Sequence, residues 1–352
     1  MKRLADQTML GNILMKNRFV RAAVGDFTNG GHLSENNYEL YRNLADGGAA
    51  LLMTGFSVVD AQEQSDHAFS LADDALIPEY RRLTQIVHEA GSRIAAQLVY
   101  LSGFVPVARP LAPSAGKNVY TGIETFEMTG DEIHRMMRLF ADAARRAVEM
   151  GFDGVELHAA HGFLLHQFFS PQWNRRADDY GGSVENRSRF LIETYEAVRG
   201  AVGAGFPVMM KLSLDDVPAD EWLYLARQLD ARGIDALETS GNWMAHKPVE
   251  RTYYHDAAAV LARELRCAII QTGGNREFDA LEQQLNSSGI DYFGFARPFM
   301  TEPDFVNKYL RGEILKPRCL SCNFCLRNPK NVCVFEKEKL HKDGHRTEAN
   351  TI

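Results

Sequence analysis

Eight short apolar runs, each followed by a longer amphipathic stretch, constrain this chain more than any other feature. They cover residues 18–23, 50–55, 93–99, 153–158, 207–213, 235–239, 268–272 and 291–295. Near-continuous apolar character, rather than strict alternation, suits strands covered on both faces, as parallel strands are. Between the runs, residues 34–46, 130–150 and 186–199 read as helices. The first opens on Ser34, a good capping residue, and the second places Phe140, Ala144 and Val148 on one stripe. Glycines mark the helix-to-strand turns, as in AGSR, MGFDG and RGIDA. Eight strands alternating with helices predict an α/β TIM (β/α)8 barrel rather than an open doubly wound sheet. No GxGxxG follows any strand, which weakens the dinucleotide fold further.

Composition narrows the partners. With 45% hydrophobic residues in 352, the chain can bury a large core without staples. A net charge of -7, a pI near 5.9 and no Lys/Arg-rich run exclude nucleic acid and anionic membrane as expected partners. No stretch reaches the roughly 20 apolar residues of a membrane helix. The opening MKRLADQTMLGN lacks a signal-peptide core, so a cytoplasmic location is expected. Two stretches break the rhythm. The loop over 100–128 contains VPVARPLAPSAGKN, too rich in Pro and Gly for regular structure. Beyond residue 316 come four clustered cysteines and a charged tail, EKEKLHKDGHRTEANTI, expected to be mobile or docked in an oligomer. The organisation is therefore a barrel over 1–316 and a cysteine-containing extension over 317–352.

In such a barrel the chemistry sits where strands end. Strand 3 ends near Gln97, strand 4 in HAAHGF with His158 and His161, and strand 5 contains Lys211. Strand 7 ends in TGGN, Thr272 to Asn275, and strand 8 runs into FARPF with Arg297. Gly273, Gly274 and Arg297 lie on the loops that usually build the barrel's phosphate site, although a Gly-Gly turn is also an ordinary tight turn. His158 and His161 can bind metal, exchange protons or polarise a carbonyl oxygen, and a lone histidine is more often structural. Metal is less attractive because no third ligand is obvious in that loop. Lys211 can form a Schiff base or serve as a fixed cation. Gln97 can pair with a heterocycle edge or satisfy buried backbone.

The stretch FADAARRAVEMGFDGVELHAAHGFLLHQFFSPQWNRRADDYGGSVENRSRF resembles the central signature of the old yellow enzyme family. Within it, the chain is most similar to the single-domain form of the subgroup containing 2,4-dienoyl-CoA reductase and bacterial ene-reductases. KNRFVRAAV, DGGAALLMTG, AAQL, APSA, TGGN and FARPFMTEPDF extend the resemblance over about residues 5–330. It implies non-covalent FMN, with NADH or NADPH as reductant and a small unsaturated carbonyl compound as substrate, worked in a ping-pong cycle. It implies that backbone at Ala22, Ala23, Val24 and Gly55 lies by the flavin, that Gln97 pairs with its pyrimidine edge, and that Lys211 stands where many relatives have Arg. Gly273, Gly274, Asn275, Ala296 and Arg297 would hold the phosphate, and His158 and His161 the substrate's carbonyl oxygen. Homo-oligomers are common among relatives.

Three departures stand out. Relatives place a proton-donating Tyr two residues after the second His, where this chain has Phe163. Their strand 3 often continues QLxHxGR, and here Tyr100 replaces the His. Strand 1 ends in Ala23-Val24-Gly25 rather than Pro-Met-Cys or Pro-Met-Thr. Tyr100 or water is then the expected replacement donor. CLSCNFC and Cys333 resemble the [4Fe–4S] motif of multidomain reductases, with altered gaps. Cys319, Cys322, Cys325 and Cys333 could hold iron–sulfur or zinc, or form an empty scaffold. Three other functions compete: amine or other substrate oxidation by a related flavoprotein with an iron–sulfur centre, a flavin-free lyase using Lys211 as a Schiff base, and a binding protein that keeps the flavin without efficient turnover, which Phe163 permits.

Overall fold

The computed structural model describes residues 1–241, 252–328 and 331–336. Most of the charged tail lies outside these residues. Eight parallel strands form the expected barrel: Phe19–Arg21 (β1), Leu51–Val58 (β2), Arg93–Val99 (β3), Gly154–Ala159 (β4), Val208–Ser213 (β5), Ala236–Ser240 (β6), Ala268–Thr272 (β7) and Tyr292–Phe295 (β8). Neighbours pair in sequence order, and β1 pairs with both β8 and β2, which closes the ring. Each predicted apolar run overlaps one of these strands, those at 50–55, 153–158 and 235–239 stopping short of the strand's end.

The period of two sorts side chains between two cores. On β3, Ala95 joins the barrel lumen with Val20, Leu51, Met53, Met209, Ala236, Ile270 and Tyr292. Ala96, Leu98 and Tyr100 face outward into the layer between barrel and helices. The bottom of the lumen is stopped by an N-terminal hairpin, Thr8–Leu10 with Ile13–Met15, whose Leu10 and Met15 pack among the lumen residues. Tyr292 also donates its hydroxyl to Met9 O at 2.7 Å. The barrel is thus a filled core opening at one end, as burial of apolar area demands.

Local chemistry fixes the helices between the strands. Thr129 and Glu132 form a capping box at the start of Gly130–Glu149, whose inner face buries Ile133, Met136, Phe140 and Ala144. Ser34 and Asn37 do the same for Glu35–Asp46. The loop after β3 departs from expectation: 100–128 contains a small sheet, with Glu124–Glu127 between Leu111–Ala112 and Gly116–Lys117. Its prolines fall outside these paired residues, so the ladder forms despite the composition.

Candidate active site

A cavity of about 440 Å³ opens where the strands end. Its floor is a polar layer directly above the apolar lumen. Gln97 on β3 stands beside Glu156 on β4, and Lys211 on β5 beside Glu238 on β6. Gln97 donates from Nε2 to Glu156 Oε2 at 2.6 Å, and the Lys211 ammonium donates to Glu238 Oε1. All four side chains are buried. Burial and the facing Glu238 carboxylate push Glu156 well above the usual carboxyl range; Lys211 holds Glu238 below it against its own burial.

β4 then carries His158 up to the mouth, two residues beyond Glu156 and on the same face. His161 follows at φ 62°, and Gly162 at φ 81°. A histidine held in the left-handed region is uncommon and needs support. Gly162 N–H donates to His166 Nδ1 at 2.9 Å, which leaves the proton of His166 on Nε2, 3.0 Å from Asp216. The His158 and His161 rings meet edge-on, centroids 4.9 Å apart. Burial is the main cause holding both imidazoles well below their usual pKa, so both are neutral at pH 7. His161 Nε2 lies 2.8 Å from Ser240 Oγ; His158 Nδ1 is buried without a partner among the described residues.

Two backbone turns form the opposite wall. After β7, Gly273 and Gly274 take φ of 121° and 77°, a path that favours glycine. The N–H groups of Gly274, Asn275, Arg276 and Ala296 find no backbone acceptor among the described residues. Asn275 fixes the two turns together, its Nδ2 donating to Gln271 O and to Gly294 O. A Cβ at Gly294 would collide with Thr272 Oγ1, so the close approach of β7 and β8 requires glycine there. Ala22, Ala23 and Val24 cross the mouth from the end of β1. They are anchored from behind by Asp26, which accepts from Arg21 Nη2 at 2.8 Å, Tyr41 Oη at 2.6 Å and Gly55 N–H at 3.0 Å.

The cavity therefore gathers Ala22, Ala23, Val24, Gln97, His158, His161, Lys211, Gly273, Gly274, Asn275, Ala296 and Arg297. Two expected residues are elsewhere. Tyr100 lies an odd number of residues after Gln97 and so faces outward, buried near Glu63, Asp60 and Arg135; it does not line the cavity as a proton donor. Gly55 is displaced by a register shift between Met53 and Phe56, which puts the Phe56 ring on the cavity instead. Gly55 serves Asp26 from behind. Phe163 occupies the cavity wall, edge-on to His158 at 4.8 Å.

The extension also differs from expectation. Among the described residues, no group of three or more His, Cys, Asp or Glu could hold a metal ion. This does not support iron–sulfur or zinc at Cys319, Cys322, Cys325 and Cys333. Cys322 is exposed and the others buried; burial, then its neighbour Cys319, pushes the Cys325 thiol up to about 11. The segment instead covers the cavity mouth. Pro317, Cys319, Ser321, Asn323, Leu326 and Asn331 line it; Arg297 donates to Ser321 O and Asn323 Oδ1, and Asn331 Nδ2 to Gly25 O at 2.9 Å. The sequence reading missed Glu156 and Glu238, and also Tyr253 and Tyr254, which line the wall.

A closed barrel with paired imidazoles, a buried cation and two donor-rich turns at one mouth is the arrangement of a barrel enzyme's active site. The chain belongs to the NADH:flavin oxidoreductase / NADH oxidase family, which matches residues 8–314. It is 30% identical over 338 residues to a metal reductase of Desulforamulus reducens, covering 91% of this chain and 50% of that protein. It is 30% identical over 321 residues to an NADPH dehydrogenase of Bacillus velezensis, covering 87% and 94%. The structure superposes on the old yellow enzyme homologue from Zymomonas mobilis with a TM-score of 0.79 at 26% identity, covering 91% and 95%. The chain thus spans about half the length of some relatives and nearly all of others.

The family's flavin fits the residues present. The volume falls within the roughly 300–1,000 Å³ of small-ligand sites. The turns after β7 and β8 offer backbone donors to a phosphate, and the floor offers an amide and a cation to a heterocycle edge.

Proposed function

We propose that this chain binds FMN, takes hydride from NADH or NADPH, and reduces activated C=C bonds of small α,β-unsaturated carbonyl compounds, with the two substrates using one cavity in turn. Bound FMN would supply the hydride relay. Gln97 and Lys211 would hold its pyrimidine edge, the backbone of Ala22, Ala23 and Val24 its ring, and Gly273, Gly274, Asn275, Ala296 and Arg297 its phosphate. Residues 317–328 and 331–336 would exclude water from the phosphate end.

The remaining chemistry belongs to the histidines. A neutral imidazole donates one N–H, so His158 and His161 together can offer two to a single carbonyl oxygen. Both bonds strengthen as negative charge gathers on that oxygen, which is the condition for lowering the barrier rather than merely binding. The single observation that carries this reading is the edge-on pair of neutral imidazoles, His158 and His161, in the cavity wall.

The Schiff-base reading loses ground because the Lys211 nitrogen is committed to the Glu238 carboxylate, an arrangement that holds a cation rather than a free amine. The test is the visible spectrum of purified protein under nitrogen. A flavin band that bleaches with NADH or NADPH and returns on adding a cyclic enone supports the proposal. A colourless protein that does not take up added FMN refutes it.

A further inference from the structure

The cavity floor holds two carboxyl groups that the proposed reaction does not use. Glu156 and Glu238 are both 0% exposed. Each has one oxygen accounted for, Glu156 Oε2 by Gln97 and Glu238 Oε1 by Lys211. The other two, Glu156 Oε1 and Glu238 Oε2, are buried without a donor among the described residues. Yet the two carboxyl groups lie within hydrogen-bonding reach of one another.

The groups facing the pair are few. From β3 comes the Gln97 amide, from β5 the Lys211 ammonium, and from β7 the Thr272 hydroxyl, close to Glu238 but making no hydrogen bond of good geometry among the described residues. Lys211 is the one cation among them. Two carboxylates against one ammonium would leave a net negative charge in a layer closed to water, and such a charge is normally removed by protonation. A proton placed between the two orphaned oxygens satisfies both at once and brings the layer to neutrality.

We propose that Glu156 and Glu238 share a single proton, carried by Glu156 Oε1 and donated to Glu238 Oε2, and that this bond sets the polarity of the cavity floor. Glu238 keeps its negative charge and holds Lys211 as an ammonium. Glu156 engages Gln97 Nε2, which leaves the Gln97 carbonyl as the acceptor offered to the cavity. The floor then presents an acceptor beside a cation, the complement of an N–H next to a carbonyl on a heterocyclic imide. This last step rests on the flavin reading above; the shared proton does not. Glu156 and Glu238 are thus positioning residues, acting through Gln97 and Lys211.

The experiment is infrared spectroscopy of the purified protein in water and in deuterium oxide, reading the C=O stretch of protonated carboxylic acids. Each variant is subtracted from the parent, so other buried acids such as Glu63 cancel. Glu156→Gln and Glu238→Gln should each remove one acid, the second because the remaining carboxyl becomes the counter-ion of Lys211. Lys211→Met should add one acid, doubling the signal of the pair. Folding is checked by circular dichroism; if either Gln variant fails to fold, the Lys211→Met comparison decides. No acid lost in Glu156→Gln, a full acid retained in Glu238→Gln, or no gain in Lys211→Met would each overturn the proposal. Flavin content is read separately from the visible spectrum. Loss of the flavin reading therefore leaves the infrared result standing, and the reverse also holds.

Discussion

Replacing His158 by Leu should separate a catalytic histidine from a structural one, because the two roles predict opposite signs. Among the described residues the parent's Nδ1 is buried and unpaired, a desolvation penalty of about 1–3 kcal/mol that a leucine of similar volume removes. Against this, the variant loses the edge-on contact with Phe163 at 4.8 Å, typically about 0.5–1.5 kcal/mol. The net is a stability change between nothing and a gain of about 2 kcal/mol, or up to about 3 °C in Tm for a chain of this size. Activity should move the other way. Losing one of two donors to a developing oxyanion lowers kcat/KM for an enone by about 10²–10³. Flavin bleaching by NADPH, which needs no carbonyl grip, should survive. The assay is thermal unfolding alongside anaerobic flavin reduction and steady-state enone turnover. A variant destabilised by about 2 kcal/mol whose enone turnover stays within about threefold of the parent would make His158 a core histidine and refute the reasoning.

Three further outcomes are expected. Asp26→Ala strips Arg21, Tyr41 and Gly55 of their common acceptor and should cost about 3–5 kcal/mol in denaturant unfolding, with weaker FMN retention; a loss under about 1 kcal/mol would contradict the anchoring role. Glu63, pushed to about 8 by burial, binds a proton in the folded state that the unfolded state releases above about 4.5. Its contribution is therefore full at low pH and lost as pH rises through 8, at about 1.4 kcal/mol per unit, and Glu63→Gln should flatten this slope; an unchanged slope would rule out Glu63 as its source. Phe163→Tyr restores a phenol at the cavity wall and should raise enone turnover by about tenfold or more if proton delivery limits the rate; no change would place the donor elsewhere.

Much of this site was legible because a parallel barrel converts strand order into geometry. Once eight apolar runs are counted, the residue ending each run must stand at the mouth, and Gln97, His158, Lys211 and Gly273 follow. Where the reading failed, it ignored the period of two. Gln97 faces inward, so Leu98 and Tyr100 must face out, and the structure finds both in the outer core. Gly55 was misplaced for a different reason: the register shift between Met53 and Phe56 has no local signature in LLMTGFSV that periodicity could detect. The extension was noticed for its cysteines, but its role as cover depends on long-range contacts such as Asn331 with Gly25, 306 residues apart.

The carboxyl pair was present in the sequence and passed over. Glu156 and Glu238 each interrupt an otherwise apolar or small-residue run, GVELHA and ALETS, in strands buried on both faces. A carboxylate in such a run has no route to water and must find a partner within the lumen. Parity then does the rest. Glu156 shares a face with His158, and Lys211 pairs in register with both His158 and Glu238. The one lysine in the β5 run thus falls at the same height as the acid on β6, and His158 stands directly above the acid on β4. A charged residue inside a two-sided strand is hence a stronger pointer to the working layer of a barrel than a polar residue at its rim. The rim residue can be solvated, whereas the buried one is retained against its desolvation penalty only where other groups, here Lys211 and Gln97, depend on it.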